Sequence, residues 1–402
     1  MKILVVNAGS SSMKYQLIDT ATEKAIAKGI CERIGIGGAI SHKTADGREF
    51  EEKMDLPTHT EAFAQTLELL TSEAYGVIGS LEEIDAIGHR IVHGGALKET
   101  ALVNDEVYKM LKDACALAPL HNPGAIKGID ACIASCPATP QVVVCDTVFH
   151  STMPDYAYTY ALPAELCKKH AIRRYGFHGT SHKYVSEKAA EAVWDKPESL
   201  KIVTCHLGNG SSISAVDGGK CVDTSMGFTP LEGVLMGTRC GSIDPAIVAY
   251  LAKVENLSGE ELDDLLNKQS GLLGLSGSSA DMRDITERAN AGDKQALLAK
   301  STLVYQIKKY IGSYAAAMNG LDVLVFTAGI GENNSRLREK VCDKMDFFGI
   351  KIDKLANRDF KRGEIVDISA AGSKVKVLIV PTNEELMIAK ETKRLTETEK
   401  AN

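Results

Sequence analysis

Most of the chain's reactive side chains lie in short runs rich in glycine, serine and asparagine. They are Asn7-Ala-Gly-Ser-Ser-Ser-Met-Lys14, Gly88-His89-Arg90-Ile91-Val92-His93-Gly94-Gly95, Asp146, and Arg174-Tyr-Gly-Phe-His178. Further along come His206-Leu-Gly-Asn-Gly210, Gly237-Thr-Arg239, Gly329-Ile-Gly-Glu-Asn333 and Asn383-Glu384-Glu385. Glycine lets backbone N–H groups approach an anion where a Cβ would stand in the way. Arginine forks suit carboxylate and phosphoryl oxygens alike. Phosphoryl transfer fits this inventory, because it needs in-line positioning and cancellation of negative charge and little covalent work from the protein. A single Gly-Ser run is ordinarily only a turn; several at strand ends describe a ligand cleft. None matches the GxxxxGK[ST] or GxGxxG pattern, and the protein-kinase catalytic-loop and DFG signatures are missing. A nucleotide enzyme built on these runs would belong to another phosphate-binding class.

The elements that must hold these runs repeat. Lys2-Ile-Leu-Val-Val-Asn-Ala-Gly-Ser-Ser-Ser12 is echoed by Lys201-Ile-Val-Thr-Cys-His-Leu-Gly-Asn-Gly-Ser-Ser212, and both return to an apolar run (Tyr15 to Ile18; Ile213 to Val216). Each is a strand, a small-residue hairpin and a second strand, spaced by about half the chain, which predicts two related lobes. Further strands are expected at Ile84 to Gly88, Gln141 to Cys145, Val323 to Phe326 and Val375 to Val380. Helical patterns separate them: Thr60 to Leu70, Asn104 to Ala116, His182 to Ala192, Asp244 to Val254, Lys300 to Met318 and Glu384 to Leu395. Alternating strands and helices make an α/β architecture. The polar stretch from Ser41 to Thr58, with Asp46-Gly47, reads as an exposed hairpin.

Composition narrows the function class. The 402 residues are 44% hydrophobic and 25% charged, with a formal net charge of −7. An acidic chain is a poor partner for nucleic acid. No apolar run is long enough for a membrane span, and the start is too quickly polar for a secretory signal. The 10 cysteines are scattered and form no CxxC pair, which predicts reduced buried thiols and a cytoplasmic protein.

Strand-hairpin-strand phosphate loops in duplicated lobes resemble the superfamily of acetate and sugar kinases, Hsp70 and actin. Within it the chain resembles the acetokinase family. The runs above carry that resemblance together with Ala118-Pro-Leu-His-Asn-Pro123, Asp146-Thr-Val-Phe-His150, Arg174 to His182, Asp223-Thr-Ser-Met-Gly-Phe-Thr-Pro-Leu-Glu232, Asp281-Met-Arg283 and Thr382-Asn-Glu-Glu385. They span essentially the whole chain. The resemblance implies two duplicated ribonuclease H-like lobes with a cleft between them. One is 1–150 completed by the C-terminal helix, about 384–402, and the other is a nucleotide-binding lobe, 151–383. It implies a homodimer that moves the γ-phosphoryl group between ATP/ADP and acetate/acetyl phosphate.

Site residues follow from the same resemblance. Arg90, Asp146, His178 and Arg239 are the implied catalytic residues. Asn7 and Glu384 are placed near Mg2+, or Mn2+ in its place, with Glu385 the alternative to Glu384. Ser12, Lys14, His206, Leu207, Gly208, Asn209, Gly210, Asp281, Met282, Arg283, Gly329, Ile330, Gly331, Glu332 and Asn333 are implied for the nucleotide. Val92, Leu120, His121, Phe177 and Pro230, with Arg90, are implied for the acyl substrate. A proton-transfer role for Asp146 does not fit the chemistry: acetate is already anionic near neutral pH and needs no general base. Metal organisation and charge placement suit Asp146 better. The readings to separate are a propionate or butyrate kinase, a kinase with another phosphoryl donor such as pyrophosphate, and an Hsp70- or actin-like ATPase module.

Overall fold

The computed structural model of the chain describes residues 1–401, with side chains through Glu399. It divides into two compact units, Met1–Ser151 with the closing segment from Asn383, and Thr152–Thr382. The helix expected over 384–402 runs Glu384–Ala401; residue 402 lies outside the described residues.

The first unit is built on an eight-stranded sheet. Its strands are β1 (Lys2–Ala8), β2 (Ser12–Asp19), β3 (Lys24–Glu32), β4 (Ala39–Thr44), β5 (Glu49–Lys53), β6 (Ala86–Ile91), β7 (Ala101–Leu102) and β8 (Gln141–Cys145), in the order β5-β4-β3-β2-β1-β6-β8-β7. The second unit has six strands: β9 (Lys201–Leu207), β10 (Ser211–Asp217), β11 (Lys220–Thr224), β12 (Val323–Thr327), β13 (Val366–Asp367) and β14 (Lys376–Ile379). Their order is β11-β10-β9-β12-β14-β13.

The duplication is thus visible in the topology. In each unit an antiparallel three-strand meander is followed by two parallel strands and closed by a short antiparallel edge strand. The β4–β5 hairpin, turning at Asp46-Gly47, is extra to the first unit, and β5 is mostly exposed. It matches the polar hairpin read from the sequence.

The central strands of each sheet are buried on both faces, and each sheet packs an apolar face under helices. In the first unit Leu4, Val6, Tyr15 and Leu17 pack with Phe63, Leu67 and Leu70 of the helix His59–Thr71 and with Ala131 and Cys132 of the helix Asn122–Ser135. In the second, Val203, Cys205, Ile213, Leu324 and Phe326 pack with Leu303, Ile307 and Ile311 of the helix Lys294–Ala317. No helix among the described residues is long and apolar enough to cross a membrane.

Two expectations need correction. The strand read as Ile84 to Gly88 is β6, Ala86–Ile91, so His89 and Arg90 belong to the strand rather than to the loop after it. Polar residues end a strand in a sequence pattern, but His89 is buried and its Nε2 lies 2.7 Å from Gln141 Oε1 of neighbouring β8. Gly329–Asn333, expected as a loop, belongs to the short helix Ala328–Asn333, which follows β12 directly. Its later carbonyls are satisfied by Arg338, whose Nη1 donates to Gly331 O at 2.7 Å and Glu332 O at 2.8 Å.

Candidate functional site

In the first unit two strand ends and one helix start converge. Arg90 is the penultimate residue of β6, Asp146 follows β8, and Glu384 opens the C-terminal helix. The helix can approach because β6 has Gly88 beneath it: a Cβ there would lie 2.4 Å from Thr392 Oγ1 and 2.9 Å from Ile388 Cγ2. Arg90 donates from Nε to Asp146 Oδ1 at 3.2 Å and from Nη2 to Asp146 Oδ2 at 2.9 Å, and Nη2 is 3.5 Å from Glu384 Oε2. Part of the Arg90 fork is therefore engaged by Asp146. The Asp146 charge beside it raises the Arg90 pKa further, so the guanidinium is a permanent cation.

Glu384 is pushed up to about 7, first by burial and then by repulsion from Asp146 and Glu385, with Arg90 opposing. An acidic cluster held under this tension has the hard oxygen donors that suit a divalent cation such as Mg2+. Among the described residues no group of three or more His, Cys, Asp or Glu is placed to hold a metal ion. Asn7, Lys14 and Glu385 line a hollow of about 420 Å3 on the same sheet. Ser12 opens β2, and its carbonyl accepts from Gly9 N at 2.8 Å across the hairpin. Val92 is half-buried just after β6, whereas Leu120 is 72% exposed and His121 is the exposed residue before the helix Asn122–Ser135.

In the second unit His178, His206, Gly210 and Arg239 come together. His178 sits at φ 58°, directly before the helix Gly179–Ala192. Its ring stacks on that of His206 with centroids 4.2 Å apart. A Cβ on Gly210 would lie 3.6 Å from both His178 Nε2 and Arg239 Nη1, so both groups border the β9–β10 hairpin. Asn209 positions the arginine loop: Gly237 N donates to Asn209 O at 3.0 Å. A Cβ on Gly237 would fall 1.9 Å from Asn209 Oδ1, so any side chain there would displace the Asn209 amide. Arg239 donates from Nη1 to Pro230 O at 3.0 Å and has no carboxylate partner among the described residues. Burial lowers its pKa. A half-buried guanidinium without a carboxylate partner, next to a glycine hairpin, has the charge and donors to receive an anion.

A cavity of about 1100 Å3 in this unit is lined by Gly208, Asn209, Asp281, Met282, Arg283, Gly329, Ile330 and Asn333. All were singled out from the sequence. Other expected residues face elsewhere. The Leu207 side chain lies in the core, Gly331 is buried under the helix turn, and Glu332 Oε1 accepts from Thr382 N at 3.2 Å. Asp281 caps the helix Met282–Asn290 and pairs with Arg283. Phe177 is buried, and Pro230 is half-buried.

Several residues were not picked out beforehand. Thr286, Arg336 and Arg362 also line the cavity. Arg174 donates from Nη1 to the carbonyls of Thr224, Ser225 and Met226 and from Nη2 to Glu232 Oε1 at 2.7 Å, while Tyr160 donates to the same carboxylate. This network ties the segment leading to His178 to the one leading to Arg239. Arg174 and Glu232 stand inside sequence runs already noted, but their pairing across the chain has no local signature.

The profile of the acetokinase family matches residues 2–390. An acetate kinase from Methanosarcina thermophila is 55% identical over 401 residues, covering 99% of this chain and 98% of its own. The crystal structure of an acetate kinase from Porphyromonas gingivalis superposes with a TM-score of 0.94 at 45% identity, covering 98% of this chain and 99% of that one. A propionate kinase from Francisella tularensis gives 0.89 at 42% identity with the same coverages.

Proposed function

The chain belongs to the acetokinase family, and we propose that it transfers the γ-phosphoryl group of ATP reversibly to acetate, giving acetyl phosphate and ADP by direct in-line displacement. The observation that carries the reading is Arg239, a half-buried cation with no carboxylate partner, bordering the same hairpin as His178.

Each residue's part follows from its surroundings. Asp146 grips two nitrogens of Arg90 and fixes its direction; the remaining guanidinium edge holds the acetate carboxylate, which attacks as an anion without a base. Arg239 and His178 take the oxygens of the transferring phosphoryl group, where negative charge concentrates. Gly208 to Gly210, His206, Ser12 and Lys14 hold the nucleotide phosphates. The cavity of the second unit, which is the nucleotide-binding lobe in this reading, holds the adenosine between Asp281–Arg283 and Gly329–Asn333. Asn7, Glu384 and Asp146 would hold a Mg2+ ion, or Mn2+ in its place, whose charge offsets that of the phosphates. Val92, Leu120, His121, Phe177 and Pro230 surround the acyl group.

The protein works in the cytoplasm as a homodimer in this reading. Support for the second copy comes from the helix Pro245–Val254. It is rich in apolar residues yet has no buried one, and Ile247, Tyr250 and Val254 are 44%, 64% and 49% exposed.

Acyl phosphate trapped with hydroxylamine, from purified protein with Mg·ATP and acetate, tests the proposal. Acetate-dependent hydroxamate that is lost in Arg90→Ala and Arg239→Ala is expected. A higher rate with propionate, the reading favoured by the Francisella neighbour, would change the acceptor. ATP hydrolysis without acyl phosphate would overturn the transferase reading.

A further inference from the structure

The hairpin between β1 and β2 is held by other elements of the first unit. A capping box of Thr58 and Glu61 fixes the start of the helix His59–Thr71, and the first residue of that helix reaches the hairpin. A carbonyl only accepts, so His59 Nε2 carries a proton and donates to Gly9 O at 2.8 Å. Ile34 N donates to Ser11 O at 3.0 Å, and Gly9 N to Ser12 O at 2.8 Å. The helix Asn122–Ser135 also lies against the peptide between Gly9 and Ser10. A Cβ on Gly124 would fall 2.4 Å from Gly9 O and 2.8 Å from Ser10 N, so glycine at 124 leaves this peptide its place.

The direction of that peptide decides what the hairpin tip offers. A trans peptide is planar, with its C=O and N–H pointing opposite ways. His59 is 4% exposed, so the oxygen it holds is drawn into the protein and the Ser10 N–H faces outward. Ser10 and Ser11 are exposed, and the Ser10 N–H has no acceptor among the described residues. We infer that His59 is a positioning residue for the nucleotide: by holding the Gly9 carbonyl it aims the Ser10 N–H at the nucleotide phosphates. The inference rests on the phosphate role proposed for this hairpin through Ser12 and Lys14.

Burial makes the hold specific. Desolvation lowers the His59 pKa, and the Lys127 charge on the helix Asn122–Ser135 acts in the same direction. The ring is therefore neutral near pH 7, and its one proton is committed to Gly9 O. Without that donor the Gly9 carbonyl is left buried and unsatisfied. Gly9 has no Cβ to resist a turn of the peptide, and turning it puts an oxygen where an anion needs an N–H.

Titration of the 15N-labelled full chain with Mg2+ and the β,γ-imido analogue of ATP, without acetate, reads the contact at the Ser10 amide. A downfield proton shift of that amide is expected in the parent. His59→Leu removes the donor, whereas His59→Gln keeps an amide N–H at a similar reach. In His59→Leu, analogue binding should weaken and the KM for Mg·ATP rise about tenfold, as for one lost amide contact to a phosphate. The KM for acetate should not change, and His59→Gln should stay close to the parent. Lower stability or active fraction with both KM values unchanged would mark a purely structural role and overturn the inference. So would a loss as large in His59→Gln, or a Ser10 amide that the analogue does not move. If His59→Leu fails to fold, His59→Asn, whose shorter amide falls short of Gly9, takes its place. The expected shifts and affinities without any acyl-phosphate formation would leave the role of His59 standing and remove the transferase reading.

Discussion

Arg90 and Arg239 carry the same charge in opposite surroundings. Arg90 is pinned by Asp146 and approached by Glu384; Arg239 Nη1 donates to a carbonyl and a thioether and has no carboxylate partner among the described residues. Removing Arg239 therefore deletes an unpaired, partly desolvated cation. Arg239→Ala should lower kcat on the order of 10²–10³-fold and leave thermal unfolding unchanged or raised; a large loss of stability would mean a structural role. Asp146→Asn should do the reverse in stability, costing on the order of 3 kcal/mol because it removes the charge of a buried carboxylate paired with the half-buried Arg90. It should also slow acyl-phosphate formation without altering the shape of the pH–rate profile, since Asp146 is not a base. A profile that loses one limb in Asp146→Asn would restore the proton-transfer role. Both arginines and the carboxylates Asp146 and Glu384 were named through the family resemblance, whereas which of them pair was not legible, because ion pairing is decided between elements distant in sequence.

At the scale of elements, two glycines set the distances. Gly88 lets the C-terminal helix lie against β6, bringing Glu384 to Arg90, and Gly237 lets the Arg239 loop sit on Asn209. Gly237→Ala should displace the Asn209 side chain and weaken nucleotide binding while the sheet stays intact, measurable by calorimetry beside far-UV circular dichroism. The β6–β8 pair carries a pH signature. Burial holds His89 at about 4 against an ordinary 6.5, so the unfolded chain binds a proton that the native strand refuses. The contribution is fully present above pH 6.5 and is lost as pH falls from there toward 4. His89→Gln, which can still bond Gln141, should flatten that slope in denaturant titrations; an unchanged slope would show that another group is responsible. Strand and helix existence was readable from periodicity, and the ends of β6 were misread because a histidine buried by a neighbouring strand looks polar in one dimension.

For the molecule as a whole, each unit has a sheet and core of its own, and the proposed nucleotide cavity lies entirely in the second. ADP at about 100 times its Kd should therefore stabilise by about 2.7 kcal/mol, with hydrogen-exchange protection concentrated on β9, β10 and the helix Met282–Asn290. Protection confined to the first unit would refute that assignment. Light scattering of Tyr250→Glu checks the second copy, with a monomer expected. What the sequence determined by itself was the α/β class, the duplication, and the residue types at the strand ends, since all three are written in local periodicity and turn chemistry. Tertiary structure alone decided which charges meet. Arg90 reaches Asp146 because β6 and β8 run side by side, and His178 meets Ser212 because a helix start and a strand come within hydrogen-bond distance. Those contacts depend on sheet order and close packing, which no single stretch of chain contains.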